Sequence, residues 1–253
     1  MRLTFDRGTI LLEDPPGRLD PGLLPGVVWD PRVGAFRAPA MLHAAIEEAL
    51  RLRGIEFSDE ARSRIQPVAS GWKAVDLRPY QQAALWAWES RGRRGTIALP
   101  AGSGKTRIAI AAMSLSGVGA LCLVPTRVLL HQWSGEIARF RGSRPALLGD
   151  GFREIGPLMV STFESALRHM AGLGDRFDLL VVDEVHHFGT GARDEALEMC
   201  VARSRMGLSA TPAAGEPARR IARLVGPTVF RMDVASLAGS WLSDFRIVTL
   251  ELD

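Results

Sequence analysis

The chain has 253 residues, 47% of them hydrophobic and 23% charged, which is globular composition with room for one large domain or a small one plus a medium one. A net charge of +3 with a pI of about 9.4 tolerates a polyanionic partner without demanding one. No run approaches the roughly 18 apolar residues of a membrane span, MRLTFDRG lacks the apolar stretch of a signal peptide, and two cysteines in apolar segments, Cys122 and Cys200, offer neither a disulfide framework nor zinc spacing; together these predict a soluble cytoplasmic protein with reduced core thiols.

In chain order, LTF and TILLE flank the turn tripeptide DRG and read as two short strands. EDPPGRLDPGLLPG (13–26) must be irregular, because proline removes donors and fixes φ. VVWDPRVGAFRA (27–38) reads as a second hairpin turning at DPRVG. In MLHAAIEEALRLRG (41–54), Leu42, Ile46, Ala49, Leu50 and Leu52 supply the apolar side of an amphipathic helix ended by Gly54, and IEF follows as a strand. From about residue 77 short buried strands alternate with helices, the mark of a mainly parallel α/β sheet. Strands are predicted at 95–100, 119–125, 157–162, 178–184, 206–211, 228–232 and 245–252, with helices between them, for example 105–115 and 127–140. The boundary falls near PVASGWKAVD, so a small mixed α/β unit over 1–70 precedes a larger α/β domain over 71–253.

Arginine occurs 29 times and lysine twice, at Lys73 and Lys105. Lys105 lies in TIALPAGSGKTRIAIAAM, a buried strand, a glycine-rich loop and an apolar helix. That layout cradles phosphate: the backbone N–H groups of Ala101, Gly102, Ser103 and Gly104 and the helix N-terminus face the anion. Lys105 then reaches the β- and γ-phosphates, and the Thr106 hydroxyl ligates Mg²⁺. A compact ammonium fits such a cradle where a broad guanidinium does not. Leu99 stands where the strict G-x-x-x-x-G-K-[ST] pattern has its first glycine. Farther on, DLLVVDEVHHF (178–188) delivers Asp183 and Glu184 at a strand's C-terminal end, where open α/β sheets collect ligands. Asp183 is the candidate Mg²⁺ ligand and Glu184 the group that orients or deprotonates an attacking water. Of the tryptophans, Trp72, Trp86, Trp88, Trp133 and Trp241 sit in apolar patterns that predict core packing; Trp29, on the hairpin, is the candidate for stacking on a base.

Taken together, LPAGSGKT and DEVH (183–186) resemble the DExH-box motors of helicase superfamily 2. Other stretches follow that family's order: LRPYQ (77–81), LVPTRVLLHQW (123–133), VSTFES (160–165) and GLSATP (207–212). Within the superfamily the sequence is most similar to XPB-type DNA repair helicases, and RGTI (7–10) and WDPRVGAFRA (29–38) resemble their small damage-recognition domain. The resemblance implies a RecA-like P-loop domain, ATP and Mg²⁺ as cofactors, and 3′→5′ movement on DNA that is single-stranded or has a single-stranded region. It implies Arg78 and Gln81 at the adenine, Thr126, Arg127, Ser161 and Thr162 along the DNA backbone, and His186, Ser209 and Thr211 as couplers of the two sites. A solvated helix start or a helix cap is the alternative reading at the DNA-side positions. Two departures stand out. PAAGEPARR (212–220) lacks the Arg-Glu-Asp triplet of XPB-type proteins, and the chain stops about where a linker to a second RecA-like motor domain begins, so that domain is expected in cis or in trans. The competing functions are a motor subunit of a restriction or phage-defence complex and a non-hydrolysing, ATP-gated DNA-binding module.

Overall fold

A computed structural model describes residues 1–15, 20–68 and 71–233. The expected strand at 245–252 and Trp241 lie outside these residues. No helix among them is long and apolar enough to cross a membrane.

The first sheet holds β1 (Arg2–Asp6), β2 (Thr9–Glu13), β3 (Val28–Asp30), β4 (Ala35–Pro39) and β5 (Ser58–Asp59), in the order β3-β4-β2-β1-β5. β1 and β2 are joined by Arg7 and Gly8, both at positive φ, as the two-residue hairpin turn that matches strand twist demands. Strand alternation sends Leu3, Ile10 and Leu12 inward, where Ile46 and Leu50 of α1 (His43–Leu52) cover them. At the β3–β4 turn Asp30 accepts from the Arg32 side chain and backbone and pairs with Arg37; chiefly the Arg32 hydrogen bond holds its carboxyl down at about 2. Two expectations fail here. Leu52 is 79% exposed, while His43 and Glu47 are buried in its place, because outside the helix His43 hydrogen-bonds Asp59 and Glu47 pairs with Arg203. The strand expected at IEF forms three residues later, at Ser58–Asp59, since Ser58 and Glu60 donate to Met1 and Leu3 while Ile55 and Phe57 pack on the core.

The second sheet comprises β6 (Arg94–Ala98), β7 (Ala120–Val124), β8 (Ala146–Gly149), β9 (Phe152–Arg153), β10 (Leu158–Thr162), β11 (Leu179–Val182), β12 (Ser204–Ser209) and β13 (Thr228–Arg231), in the order β13-β6-β12-β11-β7-β10-β8-β9. All pairings are parallel except the β8–β9 hairpin, which the sequence reading did not foresee. α2 (Pro79–Ser90) leads into β6, and crossovers run through α3 (Lys105–Ser116), α4 (Arg127–Arg141), α5 (Phe163–Leu173), α6 (Glu195–Glu198) and α7 (Gly215–Leu224). β7, β10 and β11 are buried along their whole length, as helices on both sides of a parallel sheet require. Cys122 and Cys200 are free and buried.

The two sheets meet at the N-terminal edge of the parallel sheet. Arg62 pairs with Asp178 and Arg64 with Asp175, just ahead of β11; Glu47 pairs with Arg203, just ahead of β12. Val201 enters the first sheet's core, and Met199 fills the space beside Gly8. Arg205 pins this edge from inside. Fully buried, it donates to the carbonyls of Leu197, Cys200, Ala202 and Leu224, the last two turns' acceptors of α6 and α7 among them. A cation placed among helix-end carbonyls is favoured by their dipoles; even so, burial pushes its pKa down to about 10. Removing the guanidinium leaves several carbonyls without a donor. Arg205→Ala is therefore expected to cost on the order of 3–5 kcal/mol in urea unfolding, against less than about 0.5 kcal/mol for Leu52→Ala.

Candidate nucleotide site and the adjoining cleft

The glycine-rich loop leaves β6 at the opposite, C-terminal edge. Gly102 and Gly104 both take positive φ, and Gly104 caps α3. A Cβ on Gly104 would lie 2.5 Å from Gln81 Nε2. The loop is braced from beneath by the LRPYQ segment: Tyr80 Oη and Gln81 Nε2 both donate to the Ser103 carbonyl, at 2.7 and 2.8 Å, while Gln81 Oε1 accepts from Arg78 N at 2.9 Å. Each end of the buried Gln81 amide thus makes one bond to backbone and keeps a second donor or acceptor site. Ser103 Oγ closes the loop on the Pro100 carbonyl.

Lys105 Nζ donates to the carbonyls of Leu99 and Pro100, at 3.0 and 3.1 Å. Burial lowers its pKa, with Glu184 and Asp183 opposing that shift. Asp183 is buried at the end of β11. Its Oδ2 accepts from Trp133 Nε1 at 2.8 Å and its Oδ1 from Glu184 N at 3.0 Å. Burial raises its pKa, opposed chiefly by the Trp133 bond. Glu184 sits at φ 48, ψ 50, a left-handed conformation that is costly for a side chain of this size and that surrounding structure must hold. His186 Nδ1 lies 3.0 Å from Ser209 Oγ and 3.3 Å from Glu184 Oε2. Ser209 Oγ gives its hydrogen to the Thr211 carbonyl and accepts from Thr211 N, so the imidazole is the donor in the His186–Ser209 pair. The three expected couplers are joined in one chain of hydrogen bonds, and the Glu184 carboxylate lies against its His186 end. A lysine parked on carbonyls, beside a buried carboxylate and the half-buried Thr106 hydroxyl, fits a polyphosphate with a divalent cation; Thr106 and Asp183 are the residues that would hold the metal.

Beside this site a cleft of about 510 Å³ opens where α4 and α5 begin, with Thr126, Arg127, Arg153, Thr162, Arg168 and His169 on its walls. Thr126 and Thr162 are N-caps, accepting from Leu129 N and Ser165 N. Arg127 is 77% exposed and pairs with Asp150 at 3.5 Å; His131 meets the same carboxylate at 2.8 Å. Ser161 is a correction: it is fully buried within β10, with Oγ bonded to the Thr162 carbonyl, and does not reach the cleft. Trp86 is another. It is 67% exposed, where core packing was expected. Trp88 and Trp133 are buried as expected, and Trp29 is 54% exposed, edge-on to Phe36. Sequence reasoning also missed Tyr80 and Trp133 as supports of the site. Their only signal was position, one inside LRPYQ and one closing LVPTRVLLHQW.

A glycine-rich phosphate loop, an Asp-Glu pair and a hydrogen-bonded Ser-Ala-Thr segment on the C-terminal edge of a parallel sheet define a RecA-like α/β domain. A family model described as "Type III restriction enzyme, res subunit" matches residues 74–214, and one described as "Xeroderma pigmentosum group B helicase damage recognition domain" matches residues 3–61. The chain belongs to the first of these families, and the second match covers the unit in front of it. The DNA 3'-5' translocase XPB2 of Sulfurisphaera tokodaii is 31% identical over 89% of this chain and 51% of its own length. The DNA 3'-5' helicase XPB of Mycobacterium tuberculosis is 32% identical over 56% of this chain and 27% of its own. Among solved structures, the Sulfolobus solfataricus SWI2/SNF2 ATPase core in complex with dsDNA overlays with a TM-score of 0.54 at 22% identity, over 64% of this chain and 38% of that one, a likeness of fold. The chain spans about half or less of the length of these curated relatives.

If the loop is as tightly fitted as this, Gly104→Ala should add about 1–3 kcal/mol of strain and sharply weaken binding of a fluorescent ATP analogue, read by anisotropy. Gly117→Ala, at positive φ but facing open space, should leave that binding unchanged.

Proposed function

We propose that the chain supplies the ATP-binding half of an XPB-type DNA motor, driving 3′→5′ translocation or unwinding in DNA repair, with a damage-recognition-like unit over 1–70 and the first RecA-like domain over 71–253. The observation that carries this reading is the convergence of Lys105, Asp183 and Glu184 on one sheet edge, beside a cleft lined by arginines and two helix N-termini. The names of the relatives support DNA as the track.

In this reading the loop amides and Lys105 bind the β- and γ-phosphates of ATP, and Thr106 and Asp183 hold Mg²⁺, which supplies charge neutralisation at the phosphates when bound. Glu184, held in its left-handed conformation, orients the attacking water and takes its proton. His186 ties Glu184 to Ser209 and Thr211, and so to the segment leading toward a second RecA-like domain, which acts in cis or in trans. Arg78 and Gln81 contact the adenine, Gln81 with the donor and acceptor sites that its backbone bonds leave over. Thr126, Arg127 and Thr162 face the DNA backbone, where phosphate contacts position a strand without reading its bases.

The test is ATP hydrolysis with and without single-stranded DNA, the second motor domain being added in trans. DNA-stimulated turnover that disappears in both Lys105→Ala and Glu184→Gln is expected; DNA binding with no turnover under any condition would overturn the motor in favour of a passive DNA-binding module. At the cleft, Arg127→Ala should weaken DNA binding regardless of sequence and reduce the slope of log K against log salt by about 1. An unchanged slope would take Arg127 off the DNA path.

A further inference from the structure

Helix α4 has two working faces. Its outer face begins in the cleft with Thr126 at the cap and carries Arg127 and His131, one turn apart and both on Asp150. Its inner face is the buried row Leu130, Trp133, Ser134 and Ile137. Arg127 and Trp133 are six residues apart, roughly 9 Å along the helix axis. Trp133 differs from its neighbours in that row. Its indole N–H, inside the core, is aimed at Asp183 Oδ2, while the other oxygen of the same carboxylate is fixed by the Glu184 backbone. An aspartate held at both oxygens cannot rotate, and one of its two anchors moves with α4. A buried indole is a stiff link, with two side-chain torsions and close packing all round it.

We propose that Trp133 is a positioning residue: it sets the aim of the Asp183 carboxylate, and through α4 it couples occupancy of the cleft to the metal–nucleotide site. This rests on the functional reading above, that a metal–nucleotide binds at Asp183 and a polyanion binds in the cleft. Coupling of this kind is reciprocal, so an oligonucleotide in the cleft changes how readily Mg²⁺ supports nucleotide binding, and by the same factor Mg²⁺-nucleotide changes oligonucleotide affinity. A tryptophan present only to fill the core would support stability and nothing else.

The experiment is titration of the 253-residue chain with a fluorescent ATP analogue at a series of Mg²⁺ concentrations, with and without an oligo-dT, alongside thermal unfolding. Three proteins are compared: wild type, Trp133→Phe, and Ile137→Ala, which loosens the same buried face without touching Asp183. Trp133→Phe is expected to bind the analogue as wild type does in the absence of metal, yet to need about 10- to 100-fold more Mg²⁺ for its metal-dependent binding, the usual effect of losing a hydrogen bond behind a metal ligand. Ile137→Ala is expected to lower the unfolding temperature and leave the Mg²⁺ requirement alone. Oligo-dT should shift the Mg²⁺ midpoint of wild type and of Ile137→Ala, and not of Trp133→Phe. Equal Mg²⁺ midpoints for Trp133→Phe and Ile137→Ala would overturn the positioning role. A raised midpoint that still responds to oligo-dT would confine Trp133 to aiming the carboxylate and overturn the coupling. Failure of wild type to bind the analogue would instead overturn the functional reading, a distinct result.

Discussion

At the C-terminal edge of the parallel sheet two opposite charges are held where neither is well solvated. Burial pushes the Asp183 carboxyl up and the Lys105 ammonium down, so each is biased toward losing its charge. What keeps them charged is local and specific: the Trp133 and Glu184 N–H groups on the carboxylate, the Leu99 and Pro100 carbonyls on the ammonium, and the mutual attraction of the pair. The flanking structure follows from that requirement. The loop needs glycine at 104, LRPYQ must hold Ser103 from below, and Glu184 must accept a left-handed backbone so that its side chain joins the same space.

The two ends of the parallel sheet carry different work. Its C-terminal edge bears the candidate nucleotide site and the cleft, which the βα turns build from backbone N–H groups and helix caps. Its N-terminal edge is where the front unit is fastened, through Glu47, Arg62 and Arg64 on one side and Arg203, Asp178 and Asp175 on the other. β11 spans both edges, with Asp178 just before it and Asp183 just after. Those ion pairs fasten the front unit at the edge of the sheet away from the phosphate loop. Trp29 is exposed on that front unit, edge-on to Phe36.

Sequence legibility tracked how local the physics is. Strands such as 119–125 and 178–184 were readable because burial on both faces writes an unbroken apolar run, and the phosphate loop because its glycines, lysine and following helix are contiguous. The β8–β9 hairpin was missed because ALLG and FR are too short to show a period. Leu52 and Trp86 were misassigned because apolar type alone does not say which side of a helix another element will cover. Ser161 was misplaced for a related reason: a hydroxyl at a strand end looks the same whether it faces ligand or core.

The sequence by itself determined the chemistry on offer, since a lysine after Gly-Ser-Gly, an Asp-Glu pair after an apolar strand and a Ser-Ala-Thr segment are each set by residue identity within a few positions. Tertiary structure alone decided which groups act together. Trp133 reaches Asp183 across 50 residues, Gln81 and Tyr80 reach Ser103 across more than 20, and Arg205 gathers carbonyls from two helices that are unremarkable as sequence. Such contacts depend on where two elements come to rest against each other. No window of sequence contains both partners.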